Sequence, residues 1–341
     1  MSTADFGKVA GRSARSTGPA GSGGPDCPTG RSPSGTSGAL PDWLAEVGRV
    51  ALGIRRRVLD HTLRNNGGYL SQACSSADAL ATLYVRLMKL GQSIAPPVPL
   101  PFPGVPGLDN PAYVTGFGYN GPHEPGLDRF FFSPVHYALV LYSTLIEVGR
   151  MAPDGLAQFN RDGSSVELIG AEHSPGHEVT AGSLAQCLSQ ASGVAMARKL
   201  KGEPGHNWVF MSDGEFQEGQ TFEAIAAMAW HKIDNVTVLV DANAQQCDGA
   251  MSKVMAIDPI VDRVRAFGGA AVEVDGHDPQ AIVAAASAPV PGKPLVIVLK
   301  TDPCRGIPLL AARGEKLHYV RFKSAQEEET FRLFLDRMAG G

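Results

Sequence analysis

The chain has 341 residues, with 30 Lys and Arg against 34 Asp and Glu, 43% apolar and 19% charged side chains, 40 glycines and 25 prolines. A formal charge of −4 excludes a basic nucleic-acid binder, which needs clustered cations in surplus to neutralise phosphates. No apolar run approaches the ~20 residues that span a bilayer, and five scattered cysteines without a C-x-x-C pair suit reduced cytoplasmic thiols better than a disulfide framework.

Residues 1–40 are dominated by Gly, Ser, Pro and Thr, too poor in apolar side chains to offset their ordering entropy. They read as a disordered tail without the apolar stretch of a secretory signal. The foldable domain is expected over 41–325, followed by a short C-terminal tail over 326–341. DWLAEVGRVALGIRRRVLDHTLRN predicts an amphipathic helix with Leu44, Val47, Ala51, Ile54, Val58 and Leu59 on its apolar face. SSADALATLYVRLMKL predicts a second helix, with Ser75 and Asp78 spaced as a capping box. Residues 95–126 form a Pro/Gly-rich excursion of a length that is commonly functional. Further helices are expected from Val135 to Val148 and from Leu184 to Leu200.

The second half alternates. NWVFM, VTVLVD, AAVEV and PLVIVLK read as strands, separated by the helices QTFEAIAAMAWHK, PIVDRVRAF and PQAIVAAAS. Short, continuously apolar strands between helices imply an α/β fold, a parallel sheet with helices on both faces. Ligands in such folds sit beyond the carboxyl ends of the strands. There the chain places Ser212-Asp213-Gly214-Glu215 after one strand and Asp241-Ala242-Asn243-Ala244-Gln245 after the next. A carboxylate, an amide oxygen and a main-chain carbonyl make half of an octahedral Mg²⁺ shell, which a diphosphate and water would complete. Gly214 permits close backbone approach to phosphates, and the helix that follows points its N-terminus at them.

The stretch SDGEFQEGQTFEAIAAMAWHKIDNVTVLVDANAQQCDG resembles the thiamine diphosphate signature of transketolases, GDG and QEG followed by a helix, an apolar strand, D-x-N and DG. The resemblance implies that Asp213 and Asn243 ligate Mg²⁺ through their side chains and Gln245 through its main-chain oxygen. It sets Gly214 at the diphosphate, with Glu215 beside it among the cofactor-binding residues, and Glu218 at a subunit contact. PGHEVTAGSLAQC resembles the family's T-G-x-L-G-Q-G segment, which implies cofactor contacts from Gly182 and Leu184. FFFSPVHYALVLY resembles S-K-G-H-x-x-x-x-L-Y and makes His136 a catalytic candidate. His173 in HSPGH and His318 in KLHYVRF are further candidates, with Tyr69 standing where the family's G-H-P-G segment has its histidine. Other departures are Ser212 for the first glycine of GDG, Pro134-Val135 for Lys-Gly, and Ala185 and Cys187 for the glycines of L-G-Q-G.

The resemblance runs from about residue 42 to 310 and covers only the first, diphosphate-binding third of a full transketolase. Too few residues follow the last strand to build another domain. What this implies is the N-terminal subunit of a split transketolase that uses thiamine diphosphate and Mg²⁺ to move a two-carbon ketol unit between sugars or sugar phosphates. Its partner would be a C-terminal subunit carrying the pyrimidine-binding domain and its activating glutamate, in a heterotetramer with two copies of each chain. The α-type subunit of a 2-oxo acid dehydrogenase or acetoin-cleaving enzyme, and a non-catalytic homologue, are the alternatives.

Overall fold

The computed structural model describes residues 41–111, 113 and 115–340, so the tail expected over 1–40 lies outside the described residues. In chain order the elements are α1 (Asp42–Asn65), α2 (Leu70–Thr82), β1 (Arg129–Phe132), α3 (Ala138–Glu147), α4 (Gln186–Lys201) and β2 (Asn207–Ser212). There follow α5 (Gly219–Trp230), β3 (Val236–Ala242), the two-residue strands β4 (Gln245–Gln246) and β5 (Gly249–Ala250), and α6 (Met251–Val254). The chain ends with α7 (Ile260–Ala266), β6 (Ala270–Asp275), α8 (Pro279–Ala286), β7 (Leu295–Lys300) and α9 (Ala325–Gly340). Among the described residues no helix is long and apolar enough to cross a membrane.

Five strands form one sheet in the order β1-β2-β3-β7-β6, every neighbouring pair parallel. β2 and β3 are buried along their whole length, as central strands covered on both faces must be. One core lies between the sheet and α1, α2 and α3, with Ile54, Leu80, Leu141, Phe210 and Leu239 inside it. The other lies on the opposite face, where Leu188, Ile225, Val240 and Val264 meet.

α2 is the element that most directly positions the site. Its small residues Ala73, Cys74, Ser75, Ser76 and Ala77 are all buried, which lets the helix lie close against the sheet's carboxyl edge. The capping box expected of Ser75 and Asp78 does not form, because Ser75 sits inside α2 rather than at its start. Ser75 instead donates to Asp241, and Asp78 pairs with Arg55 and His277. Residues 326–341 also depart from expectation. Of these, residues 326–340 belong to α9, whose Phe331 is buried against Phe322 and the α1 side of the core.

The Pro/Gly excursion is held down by its backbone. Phe102 N donates to Gly163 O at 2.8 Å, Gly116 N to Glu172 O at 2.6 Å, and Gly176 N to Gly116 O at 2.9 Å. It therefore packs on the segment that leads into α4.

Candidate active site

Ser212 and Asp241 are register partners at the ends of β2 and β3, so the two chains leave the sheet side by side. Asp213 follows at once. Its Oδ1 accepts from Gly214 N and its Oδ2 from Ala244 N, each at 2.8 Å, which ties the two strand exits together. Asn243 is buried, and its Nδ2 donates to Asp241 Oδ2 at 3.0 Å and to Ser75 Oγ and Tyr137 Oη at 3.2 Å. These acceptors fix which way the amide points. Its Oδ1 is left on the side of Gln245, whose N–H it accepts at 2.9 Å.

Burial, followed by the neighbouring Asp241, pushes the Asp213 carboxyl up to about 7. Two carboxylates thus lie close together in a buried corner, the situation a bound cation relieves. Among the described residues no group of three or more His, Cys, Asp or Glu is placed to hold a metal. The donor set here is of another kind, one carboxylate, one amide oxygen and main-chain oxygen, and all-oxygen sets suit hard cations such as Mg²⁺. The surroundings agree with a ligand. Gln245 Oε1 is buried without a partner, and a Cβ on Gly182 would meet nothing within 4 Å. One on Gly214 would approach only Gln246 Nε2, at 3.6 Å. The residues present fit the diphosphate and its metal.

A cavity of about 390 Å³ opens above this corner. Asp213, Gly214, Glu218 and Gln245 line it together with Gly182, Leu184, His136 and His318. Among the described residues no Lys or Arg lines it. Burial, reinforced by His318, holds the His136 imidazole down at about 3, and burial also lowers His318, so both rings are neutral near pH 7. Tyr69 packs edge-on against His136 at 5.4 Å, His318 at 5.5 Å and Tyr319 at 5.0 Å between ring centroids. These residues come from the start of α2, the turn after β1 and the segment after β7. Paired backbone hydrogen bonds between Gly68 and Val320, 3.1 and 2.9 Å, bring the last of these to the first.

Two candidates stand elsewhere. His173 is set apart from the other histidines, its ring 4.2 Å from that of Phe102 and its Nε2 3.1 Å from the Glu167 carboxylate. The reason is the Pro175-Gly176 turn, which Gly176 N and O bind to Gly116 and Asn120 of the excursion. Glu215 is fully buried behind the cavity wall rather than on it. Burial raises its carboxyl and the Ser133 hydroxyl counters that rise, with help from Ser212 and Ala185 N–H groups.

Sequence reasoning missed Ser75, Tyr137 and Thr301, which surround Asp241. Thr301 Oγ1 donates to Asp241 Oδ1 at 2.6 Å. It also missed Cys247 and Asp248 on the cavity rim, although CDG closes the motif that gave Asn243.

The sequence profile of the transketolase thiamine diphosphate binding domain matches residues 117–329. A transketolase family protein of Sinorhizobium fredii is 32% identical over 85% of this chain and 98% of its own length. The 6-deoxy-6-sulfo-D-fructose transketolase subunit SqwG of a Clostridium species is 28% identical over 81% of this chain and 93% of its own. Among solved structures, the transketolase of Pichia stipitis in complex with sedoheptulose 7-phosphate superposes with a TM-score of 0.64 at 20% identity, over 86% of this chain. The chain spans 45% of that transketolase's length. This is an α/β protein with the diphosphate-binding fold, and it belongs to the transketolase family.

Proposed function

We propose that the chain is the N-terminal subunit of a two-component transketolase, which transfers a two-carbon ketol unit from a ketose to an aldehyde acceptor and works only with a C-terminal partner. The observation that carries this reading is one cavity lined by Asp213, Gly214 and Gln245 together with Gly182, Leu184, His136 and His318. When bound, thiamine diphosphate supplies the carbon nucleophile that cleaves and remakes the ketose C–C bond. Asp213, Asn243 and the Gln245 carbonyl would hold its Mg²⁺, and Gly214 would leave room for the diphosphate.

The protein's own contribution is to bind and orient. With no Lys or Arg on the lining, phosphate charge would be met by the metal and by backbone N–H groups. Neutral His136 offers one N–H and one bare nitrogen, and His318, whose Nδ1 accepts from Gln72 Nε2 at 3.3 Å, keeps its Nε2–H, so both can hydrogen-bond sugar hydroxyls without changing charge. Tyr69 adds a phenol that burial keeps protonated. Its candidacy, like that of His136 and His318, rests on this clustering, which His173 does not share.

A partner is supported by proportion. The subunit SqwG is matched over 93% of its length, whereas the chain spans less than half of the Pichia transketolase. A C-terminal subunit would bring the pyrimidine-binding domain and the glutamate that activates the cofactor, and two copies of each chain would pair at the Glu218 side. A cytoplasmic setting accords with free thiols at Cys74, Cys187, Cys247 and Cys304. The test is substrate choice by the reconstituted pair. Turnover of a ketose phosphate with an aldose acceptor supports the proposal, and turnover of a 2-oxo acid instead would assign the chain to the dehydrogenase type.

A further inference from the structure

We infer that Glu215 is a positioning residue: from behind the cavity wall its carboxylate, anchored on the strand end that leads into Asp213, fixes the Gly182–Leu184 turn that lines the same cavity. The inference rests on the cofactor reading above and deepens it.

Three chain segments converge on this carboxylate. Oε1 accepts from Ala185 N at 3.0 Å and from the Ser133 hydroxyl. Oε2 accepts from Ser212 N at 2.8 Å and Ser212 Oγ at 3.1 Å. Ser133 follows β1, Ser212 ends β2 and Ala185 precedes α4, so Glu215 links the ends of two strands to the entry of a helix. Each oxygen faces one backbone N–H, a group that can only donate. Both oxygens must therefore be acceptors, a requirement that a carboxylate meets and an amide cannot.

The two N–H groups differ in what else holds them. Ser212 is locked in the sheet by its register with Asp241. Ala185 has no ladder around it and adopts the left-handed conformation, φ 68° and ψ −14°, which disfavours a side chain with a Cβ. Its hydrogen bond to Glu215 opposes that strain. Gly182 and Leu184 lie just before Ala185 along this turn, and both line the cavity that Asp213 and Gly214 also line. Weakening Glu215 should therefore release the turn while leaving the strand-anchored corner in place.

The test is calorimetry on this chain reconstituted with its C-terminal partner, with Mg²⁺ and two probes, thiamine diphosphate and inorganic pyrophosphate. Glu215→Gln is expected to weaken thiamine diphosphate about tenfold, the scale of one hydrogen bond to a charged group. Pyrophosphate, which needs only the Asp213 corner, should stay within about twofold of wild type. Adding Ala185→Gly should recover most of the lost affinity, because glycine adopts the left-handed turn without a Cβ penalty. Glu215→Asp keeps the charge but shortens the reach; it should give the same split and replaces the Gln variant where that does not fold. Ser133→Ala keeps both N–H bonds and should bind both probes as wild type does. Equal loss of both probes, loss of neither, or no rescue by Ala185→Gly would overturn the positioning role. A wild-type pair that binds neither probe would instead overturn the cofactor reading on which the role depends.

Discussion

Ser75 Oγ lies 2.6 Å from Asp241 Oδ2, joining a helix near the start of the fold to a strand end 166 residues later. The same carboxylate oxygen accepts from Asn243 Nδ2, so the hydroxyl and the amide are organised around one buried acceptor. Removing the hydroxyl leaves that acceptor short of a donor. Ser75→Ala should destabilise the chain by about 1–3 kcal/mol, the usual penalty for an under-satisfied buried polar group. Urea unfolding would register it as a lower midpoint at unchanged slope.

Asp213→Ala and Asn243→Ala should each abolish Mg²⁺-dependent thiamine diphosphate binding, because each removes an oxygen from a cation that demands near-octahedral ligation. The fold should survive. Asp213→Ala should leave the metal-free chain at least as stable as wild type, since it removes a carboxylate that burial and Asp241 disfavour. Calorimetry with and without chelator, paired with thermal unfolding, separates the two effects. Cofactor affinity unchanged in either variant would remove that residue from the site.

Tyr69→Phe keeps the ring contacts with His136, His318 and Tyr319 and deletes only the phenol. Turnover of the reconstituted enzyme should fall several-fold while cofactor affinity changes by less, because Tyr69 packs against the two cavity histidines and makes no contact with Asp213 or Asn243 among the described residues. Identical kinetics for Tyr69→Phe and wild type would reduce the residue to packing.

The buried histidines predict an acid-labile fold. Burial holds His136 at about 3 and His61, His123 and His177 at about 4, against the ordinary 6.5. Between those values these histidines bind more protons in the unfolded chain than in the folded one; the raised carboxyls of Asp213, Asp241 and Glu215 run the other way but are fewer, so stability rises with pH through this window and is lost as pH falls from about 6.5 toward 4. Urea midpoints measured across that range should decline steadily with acidification. A flat profile would mean that these imidazoles titrate alike in both states.

How much of this was legible in the sequence follows from the range of the interactions. The strands β2, β3 and β7 announced themselves because continuous apolar runs rich in β-branched residues suit a strand buried on both faces, whereas the half-exposed edge strand β6 showed itself by its place between two helices. β1 went unread, because RFFF is only four residues long and runs straight into Ser133-Pro134. α9 was taken for a tail through its charged surface, although Phe331, Phe334, Leu335 and Met338 recur at helical spacing and pack on the core. Asp213 and Asn243 could be found because each lies just beyond its own strand, where local order places it. Ser75 against Asp241 could not, since nothing local records which helix residue will meet which strand end. The same holds for Glu215, a neighbour of the motif whose partners Ser133 and Ala185 lie 82 and 30 residues away. His173 looked like a site residue by its motif, but the excursion that draws it toward Phe102 carries no readable signal of where it docks.

The account stands most directly on whether this chain needs a second one. Half of the cofactor's surroundings and the activating glutamate are assigned to the partner, and polar contacts to developing charge are weak where water reaches them. Turnover of a ketose donor and an aldose acceptor, measured with saturating thiamine diphosphate and Mg²⁺ while the C-terminal subunit is titrated into this chain, decides the matter. The expected result is no ketol transfer from this chain alone and activity that rises to a plateau at equimolar subunits. Substantial transfer by the chain on its own, or none at any ratio, would contradict it.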